Sequence, residues 1–200
     1  MSKIYGGVDP GFTGGISFIE VNDKDELIQL TIIPMPVIKT IECGETKTRL
    51  NYKDLDEMFK YFKDKIVMMT IEKQQPMRSQ IYGKDQNGNS ILVSDNPQGV
   101  SSTGKIMEQY GAIKMCALSN GIEHQLVGAQ KWQKHIFNPC RKYGTKKTSI
   151  ETAKLLYPTA NLIPDRARVE KNGLSDSLLI GHYGRMLAKA NGGGLLYERS

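Results

Sequence analysis

The segment 4–19 constrains the fold of this chain more than any other, because two apolar runs flank a break rich in glycine. Pro10 cannot donate to a sheet ladder, and the glycines that follow it adopt backbone angles closed to other residues. The pattern therefore predicts a buried strand that ends at Asp9, a tight turn and a second strand antiparallel to the first. At the strand end the Asp9 carboxylate needs a partner, which is either a set of backbone N–H groups in the turn or a bound cation or phosphate.

Length and charge narrow the class of protein. The chain has 200 residues and a formal net charge of +6, so we expect a single domain over 1–200 and an anionic partner, of which nucleic acid is the most common. No apolar run approaches the ~20 residues of a membrane span, and no signal peptide is recognisable. Cys43, Cys116 and Cys140 are too widely spaced for a disulfide framework or a zinc site. These features predict a cytoplasmic protein with no membrane partner.

The remaining apolar patterns alternate between strand and helix. They predict strands at 26–34, 65–72 and 123–127, a loop at 35–50, and helices at 51–63, 103–119, 129–137, 145–157 and 174–190. The crossover through the first helix places the strand that ends at Glu72 parallel to the first strand, so that Asp9 and Glu72 end neighbouring strands. The prediction is an α/β fold with a five-stranded mixed sheet, whose first three strands form an antiparallel meander, flanked by helices.

The stretch 73–102 has little periodicity and contains an Asn-Gly turn signal between two short apolar runs. It predicts a hairpin or loop that protrudes from the body, and a connection of this length in a compact domain is usually functional. The stretch begins directly after Glu72, so its side chains could stack on bases or wedge them apart. The candidates for this role are Met77, Arg78 and Tyr82.

A third candidate acid, Asp176, lies in the first turn of the last predicted helix. It shares a helical face with Ile180 and Tyr183, so it should face the sheet, although a first-turn acid is also favoured by the helix dipole alone. Three acids at one edge of the sheet would repel one another unless divalent cations neutralised them. Mg²⁺ or Mn²⁺ matches such oxygen ligands, and a pair of these ions supports phosphodiester hydrolysis.

A basic segment precedes the last helix. Its cations could neutralise phosphates in a salt-dependent DNA interface, and the alternative is a solvated helix face. The segment contains Lys131, Lys134, Arg141, Lys142, Lys146 and Lys147, interleaved with Trp132, His135 and Tyr143.

Five short motifs occur in a fixed order along nearly the whole chain. They are Gly7–Ile16, Thr70–Lys73, Val127–Lys134, Gly144–Lys147 and Gly173–Ile180. Their order and spacing resemble the RuvC family of Holliday junction resolvases, most closely its phage-encoded branch. The resemblance implies a ribonuclease-H-like fold, a homodimer, two Mg²⁺ or Mn²⁺ ions in each active site, no organic cofactor, and paired nicking of four-way DNA junctions in recombination and repair.

The resemblance also assigns roles to individual residues. Asp9, Glu72 and Asp176 match the metal-binding, catalytic carboxylates, and Lys147 or its neighbour Lys146 matches the basic residue that contacts the phosphate at the scissile bond. The family usually has a fourth metal-binding side chain a few residues before the last Asp, and this sequence has no acid at that spacing. We expect Glu170 to substitute as a metal ligand, and the alternatives are Asn172, Asp165 and His182.

The sequence therefore predicts a metal-dependent, structure-selective DNA endonuclease that resolves four-way junctions or related branched DNA. We expect the helix 103–119 to form the dimer surface, although a buried core helix would show the same pattern. Two alternatives stay open. One is a junction-binding or other nucleic-acid-binding protein with weakened catalysis. The other is a fragment of an actin-like ATPase or sugar kinase, which would need a second domain of the same type.

Overall fold

A five-stranded mixed sheet forms the centre of the fold. The computed structural model describes residues 2–74, 78–84, 90–97, 100–137, 146–164 and 167–190. The strands are β1 (Lys3–Asp9), β2 (Gly15–Val21), β3 (Leu27–Pro34), β4 (Val37–Glu42), β5 (Glu45–Leu50), β6 (Ile66–Glu72), β7 (Arg78–Lys84), β8 (Ser90–Pro97) and β9 (His124–Val127). The helices are α1 (Tyr52–Phe62), α2 (Val100–Ser119), α3 (Ala129–Ile136), α4 (Lys146–Leu156) and α5 (Asn172–Ala190), with a 3₁₀ turn at Lys63–Lys65.

The central sheet has the predicted topology. Its order is β3-β2-β1-β6-β9. β2 is antiparallel to both β1 and β3, and β6 is parallel to both β1 and β9. Val8 pairs with Ile71, so the carboxyl ends of β1 and β6 lie side by side. The predicted α/β class, the antiparallel meander and the parallel crossover are all confirmed.

Helices cover both faces of the sheet. On one face, α3, α4 and α5 pack in a cluster that includes the fully buried Trp132 and Tyr183. On the other face, α1 and α2 contribute Phe59 and Ile113 to a second cluster, and both side chains are also fully buried. Each such side chain stabilises the fold by roughly 1.5–3 kcal/mol relative to exposure. None of the helices in the described ranges is both long and apolar enough to cross a membrane.

Helix α5 lies unusually close to the start of the sheet. A Cβ atom on Gly7 of β1 would lie 2.1 Å from the carbonyl oxygen of Ser177, and one on Gly173 would lie 2.1 Å from that of Thr13. The hydroxyl of Ser17 donates to the same Ser177 oxygen over 2.8 Å. Glycine at these two positions therefore lets the first turns of α5 pack directly against β1 and the turn that follows it.

The loop predicted at 35–50 is wrong, because β4 and β5 form a hairpin there. Glu42 pairs with Glu45, which leaves Cys43 and Gly44 as a two-residue turn with φ of 51° and 81°. Positive φ at both central residues is the geometry of a type I′ turn, whose usual signals are Asn-Gly or Asp-Gly. A Cys-Gly pair lacks that signal, and the Thr and Lys residues of the two strands obscured their alternation.

A second separate hairpin lies in the segment after β6. β7 pairs with β8 in antiparallel register from Arg78 opposite Pro97 to Lys84 opposite Ser90, with one irregularity beside Tyr82. These strands form their own two-stranded sheet and do not extend the central one. The Asn-Gly turn predicted between them lies outside the described residues.

Candidate active site

Two of the candidate acids end neighbouring parallel strands. Asp9 is the last residue of β1 and Glu72 is the last residue of β6. Beyond Asp9, the backbone N–H of Gly11 donates to the Asp9 carbonyl over 3.1 Å, which starts the turn. Beyond Glu72, the N–H of Lys73 donates to the carbonyl of Val127 over 2.7 Å, which keeps this end of β6 tied to β9. The two carboxylates therefore lie at the same edge of the sheet, on a backbone held by hydrogen bonds.

The third acid approaches this edge from α5. Ser149 of α4 donates a short hydrogen bond from its Oγ to Oδ1 of Asp176, and Nδ2 of Asn172 lies 3.5 Å from Oδ2. Asp176 is partly buried between these groups and the sheet. The close packing of α5 on β1 explains why an acid in the early part of this helix lies near the ends of two strands.

The pKa values of the three carboxyls show that they interact. Burial, followed by the charges of Glu72 and Asp176, raises the pKa of Asp9 to about 8. Burial also raises the pKa of Glu72 to about 7; the N–H of Trp132 lowers that pKa and the charge of Asp176 raises it further. The pKa of Asp176 is raised by burial and lowered in part by its hydrogen bonds from Ser149 and Asn172. Side chains from three distant segments thus form one acidic cluster.

The acidic cluster has no protein cation to neutralise it among the described residues. None of the ion pairs between described side chains involves Asp9, Glu72 or Asp176. Partly buried carboxylates without a positive partner are the donor set that hard divalent cations prefer. In the described part of the chain, no three His, Cys, Asp or Glu side chains already stand close enough to hold a metal ion. The residue types fit Mg²⁺ or Mn²⁺, and binding would require side-chain rotation.

Trp132 has a different role from the one its position in the basic segment suggests. Its side chain is only 1 % exposed, and its ring packs edge-to-face on Phe137 at 5.6 Å. Its Nε1 lies 3.5 Å from Oε1 of Glu72. It is therefore a core residue that contacts the acidic cluster, and it is not available to stack on bases. The helical spacing of α3, which buries Trp132 and exposes Lys131 and Lys134, was the available signal.

The candidates for a fourth metal ligand lie in different environments. Glu170 forms an ion pair with Lys154 of α4. Asn172 contacts Asp176, whereas Nδ1 of His182 lies 2.8 Å from the hydroxyl of Tyr157. Burial, with the charge of Arg185, lowers the pKa of His182 to about 4. Asp165 lies outside the described residues. Of these candidates, the structure brings Asn172 to the acidic cluster.

The predicted DNA-contacting residues lie on several elements. Lys131 and Lys134 are exposed on α3, which follows β9 directly. Lys146 and Lys147 begin α4, in the turn of the helix that also carries Ser149. Their backbone position places them next to the contact between α4 and Asp176. Two further candidates, Arg78 and Tyr82, lie in β7. The remaining candidates lie outside the described residues; they are Met77, Arg141, Lys142 and Tyr143.

Comparisons with known proteins bear on the fold. No protein-family model and no curated protein matches the sequence. Among solved structures, Thermus thermophilus RuvC in complex with a Holliday junction substrate is similar with a TM-score of 0.53 and 12% identity, over 96% of this chain and 97% of that one. Another structure of Thermus thermophilus RuvC matches over the same shares with a TM-score of 0.50 and 13% identity. The chain therefore has a RuvC-like fold, with the mixed five-stranded sheet and flanking helices of the ribonuclease-H-like class.

Proposed function

We propose that this chain is a metal-dependent, structure-selective DNA endonuclease that cuts four-way junctions or related branched DNA. The observation that carries the proposal is the acidic cluster of Asp9, Glu72 and Asp176. Its members come from segments far apart in sequence, and described residues supply no cation to them. The charges of Glu72 and Asp176 raise the pKa of Asp9, and the charge of Asp176 raises that of Glu72. The RuvC-like fold supports the substrate class, since one similar structure is a complex with a Holliday junction substrate.

The three carboxylates would hold the divalent cations. Mg²⁺ or Mn²⁺, when bound as a pair, supplies an activated water and stabilises the leaving oxygen in phosphodiester hydrolysis. The strand ends fix the backbones of Asp9 and Glu72, and α5 carries Asp176 to the same edge. Lys147, or Lys146 beside it, is proposed to contact the scissile phosphate and offset its charge. We assign no ligand role to Glu170, because it is paired with Lys154.

The proposed DNA surface surrounds this edge. Lys131 and Lys134 are exposed on α3, and the first turn of α4 adds Lys146 and Lys147. Such cations bind phosphates without reading sequence, which suits recognition of a branched shape. Arg141 and Lys142 between the two helices, and Arg78 and Tyr82 on the hairpin after Glu72, are proposed to extend the contact toward the branch point.

A homodimer would supply two active sites for paired cuts. On the outer face of α2, Met107, Met115 and Leu118 are 42%, 61% and 56% exposed, while Tyr110 and Ile113 of the same helix are buried. Exposed apolar side chains at helical spacing are typical of a surface that another chain covers. We propose that a second copy of this chain packs on this face of α2.

The test is cleavage of a synthetic four-way DNA junction beside a matched linear duplex and an RNA/DNA hybrid, in Mg²⁺, Mn²⁺ or EDTA. We expect paired, symmetric nicks in the junction that require metal. Asp9→Asn should lower the rate by at least ~100-fold, because loss of groups that only support metal ligands already costs about 10–100-fold. The variant should keep its affinity for the junction. Cleavage of the hybrid alone would leave the fold intact and reassign the substrate.

A junction-binding protein with weakened catalysis is the second candidate. It is favoured by the pairing of Glu170 with Lys154, which leaves three acids in the described part of the site. Tight binding of the junction without cleavage in either metal would support this candidate. The actin-like alternative is not carried forward, because the similar structures, which match over 96% of this chain, are of RuvC.

A further inference from the structure

Ser149 of α4 is a buried hydroxyl that contacts the acidic cluster. Its side chain is 4% exposed and lies between α4 and the first turns of α5. Its Oγ atom hydrogen-bonds to Oδ1 of Asp176 and lies 3.0 Å from Oγ of Ser175. Position 149 lies outside the five motifs that resemble the RuvC family.

The direction of these hydrogen bonds follows from the chemistry of the groups. An ionised carboxylate only accepts, so the single hydroxyl proton of Ser149 is donated to Asp176. Ser175 donates its own proton either to Ser149 or to the carbonyl of Asn172, which lies 2.8 Å away. The proton of Ser149 is thus committed to Asp176, and Ser175 supports the arrangement from behind.

The three acids differ in how firmly they are held. Among the described residues, no hydrogen bond fixes the Asp9 carboxylate, and Glu72 accepts only the long 3.5 Å contact from Trp132. Of the three, Asp176 alone accepts a hydrogen bond from a hydroxyl that is itself buried. A carboxylate with a fixed orientation loses less conformational freedom when it binds a cation than a mobile one does.

We propose that Ser149 is a positioning residue that orients Asp176 as the fixed member of the acidic cluster, around which Asp9 and Glu72 close on a divalent cation. This inference rests on the proposed function. It also links the metal site to α4, the helix whose first turn carries Lys146 and Lys147. Ser149 itself touches neither the cation nor the DNA.

A matched control separates this role from ordinary packing. Ser177 lies one residue after Asp176, is fully buried and donates to the carbonyl of Leu174 over 2.9 Å. It therefore resembles Ser149 in burial and chemistry, but its hydroxyl is bonded to backbone instead of a carboxylate. Loss of either hydroxyl removes one buried hydrogen bond, worth about 0.5–1.5 kcal/mol of stability.

The experiment is a calorimetric titration of Mn²⁺ into the full chain, carried out on the wild type, S149A and S177A. The melting temperature of each protein is measured alongside. We expect S149A to raise the Kd for Mn²⁺ by about 10–100-fold, the usual effect of removing a group that orients a ligand. S177A should change the Kd less than twofold. In junction cleavage, S149A should raise the Mn²⁺ concentration needed for half the maximal rate, and excess Mn²⁺ should restore most of that rate.

The outcomes are distinct. An unchanged or tighter Kd in folded S149A overturns the inference and leaves the proposed function intact. If the wild type binds no Mn²⁺, the proposed function fails and the inference fails with it. Should S149A not fold, S149C applies the same test, because a thiol is somewhat larger than the hydroxyl, so it leaves no cavity, and it is a much weaker donor. A wild-type Kd in S149C would then overturn the inference.

Discussion

Helix α5 has opposite electrostatic environments at its two ends. Near its start, Asp176 belongs to an acidic cluster to which described residues supply no cation. Near its end, Arg185 and Lys189 enclose a single acid, Asp25, with Arg185 Nε 2.9 Å from Oδ1 and Lys189 Nζ 2.5 Å from Oδ2. These two cations lower the pKa of Asp25 to about 2, whereas the pKa of Asp9 is raised to about 8.

We propose that the difference separates a structural acid from acids held for a ligand. Arg185 also donates to the backbone carbonyl of Asp25 over 2.6 Å, so it stabilises a turn in which Asp25 has a φ of 64°. At this end the charge of Asp25 is compensated by cations of the chain itself. At the other end no described residue compensates the acids, which is why we infer a cation site there.

The largest effect we expect is on the rate of junction cleavage. The experiment compares substitutions of one acid from each end of α5. Asp176→Asn should lower metal-dependent junction cleavage by at least ~100-fold, since it removes a proposed direct ligand and orienting groups alone contribute about 10–100-fold. Asp25→Asn should change the rate less than about threefold at a temperature where both proteins are folded, because surface charge changes away from a site have small effects. Rates are measured on the same labelled junction in Mg²⁺. Equal losses in both variants would refute the division of α5 into two roles.

The second effect is on stability at different pH values without metal. Asp9 and Glu72 have folded pKa values of about 8 and about 7, above those of the unfolded chain. The folded state therefore binds more protons than the unfolded state from about pH 4 to 8, so its stability falls as the pH rises through this window. Between pH 5 and 8 we expect the two groups together to cost about 6 kcal/mol of stability, at ~1.4 kcal/mol for each pKa unit.

Urea unfolding in EDTA at pH 5 and pH 8 measures this loss. Asp9→Asn should show a smaller loss, and this comparison removes the contributions of all other titrating groups. Saturating Mg²⁺ should also reduce the loss, because a ligand that binds only the folded state stabilises it. Identical pH profiles for wild type and Asp9→Asn would contradict the electrostatic account of the acidic cluster. At the other end of α5, the depressed pKa of Asp25 predicts a separate loss of stability below about pH 4.

The backbone of the candidate site was predictable from the sequence. Pro10 and the glycines after it fix where β1 ends, and the apolar run before Glu72 fixes β6. Hydrophobic periodicity and breaker residues act locally, so they predict where elements begin and end. The right-handed crossover rule then makes the two strands neighbours. The positions of Asp9 and Glu72 at one edge follow from these local signals together with the crossover rule.

The partners of the acids were not predictable in the same way. The contact of Ser149 with Asp176 depends on how α4 packs on α5, and that of Trp132 with Glu72 depends on how α3 packs on β6. A sequence shows which face of a helix is apolar, but it does not show which polar atom meets which across an interface. The hydrogen-bonded ion pair between Asp25 and Arg185, which are 160 residues apart, could not be predicted for the same reason.

The smallest effect we expect is a stability change of opposite sign at the two ends of α5. In EDTA at pH 8, Asp9→Asn should stabilise the protein by about 1–2 kcal/mol, because it removes a charge that is unfavourable beside Glu72 and Asp176. Asp25→Asn should destabilise it by about 1–3 kcal/mol, because hydrogen bonds to charged groups are lost and Arg185 is left without its carboxylate. Asn tolerates positive φ, so the second variant changes charge without straining the turn.

For a chain of this size each kcal/mol shifts the melting temperature by roughly 2–4 °C, which differential scanning calorimetry resolves. Destabilisation by Asp9→Asn in EDTA would mean that the acidic cluster is a structural network like the one around Asp25, and it would remove the physical reason for a cation at that edge of the sheet.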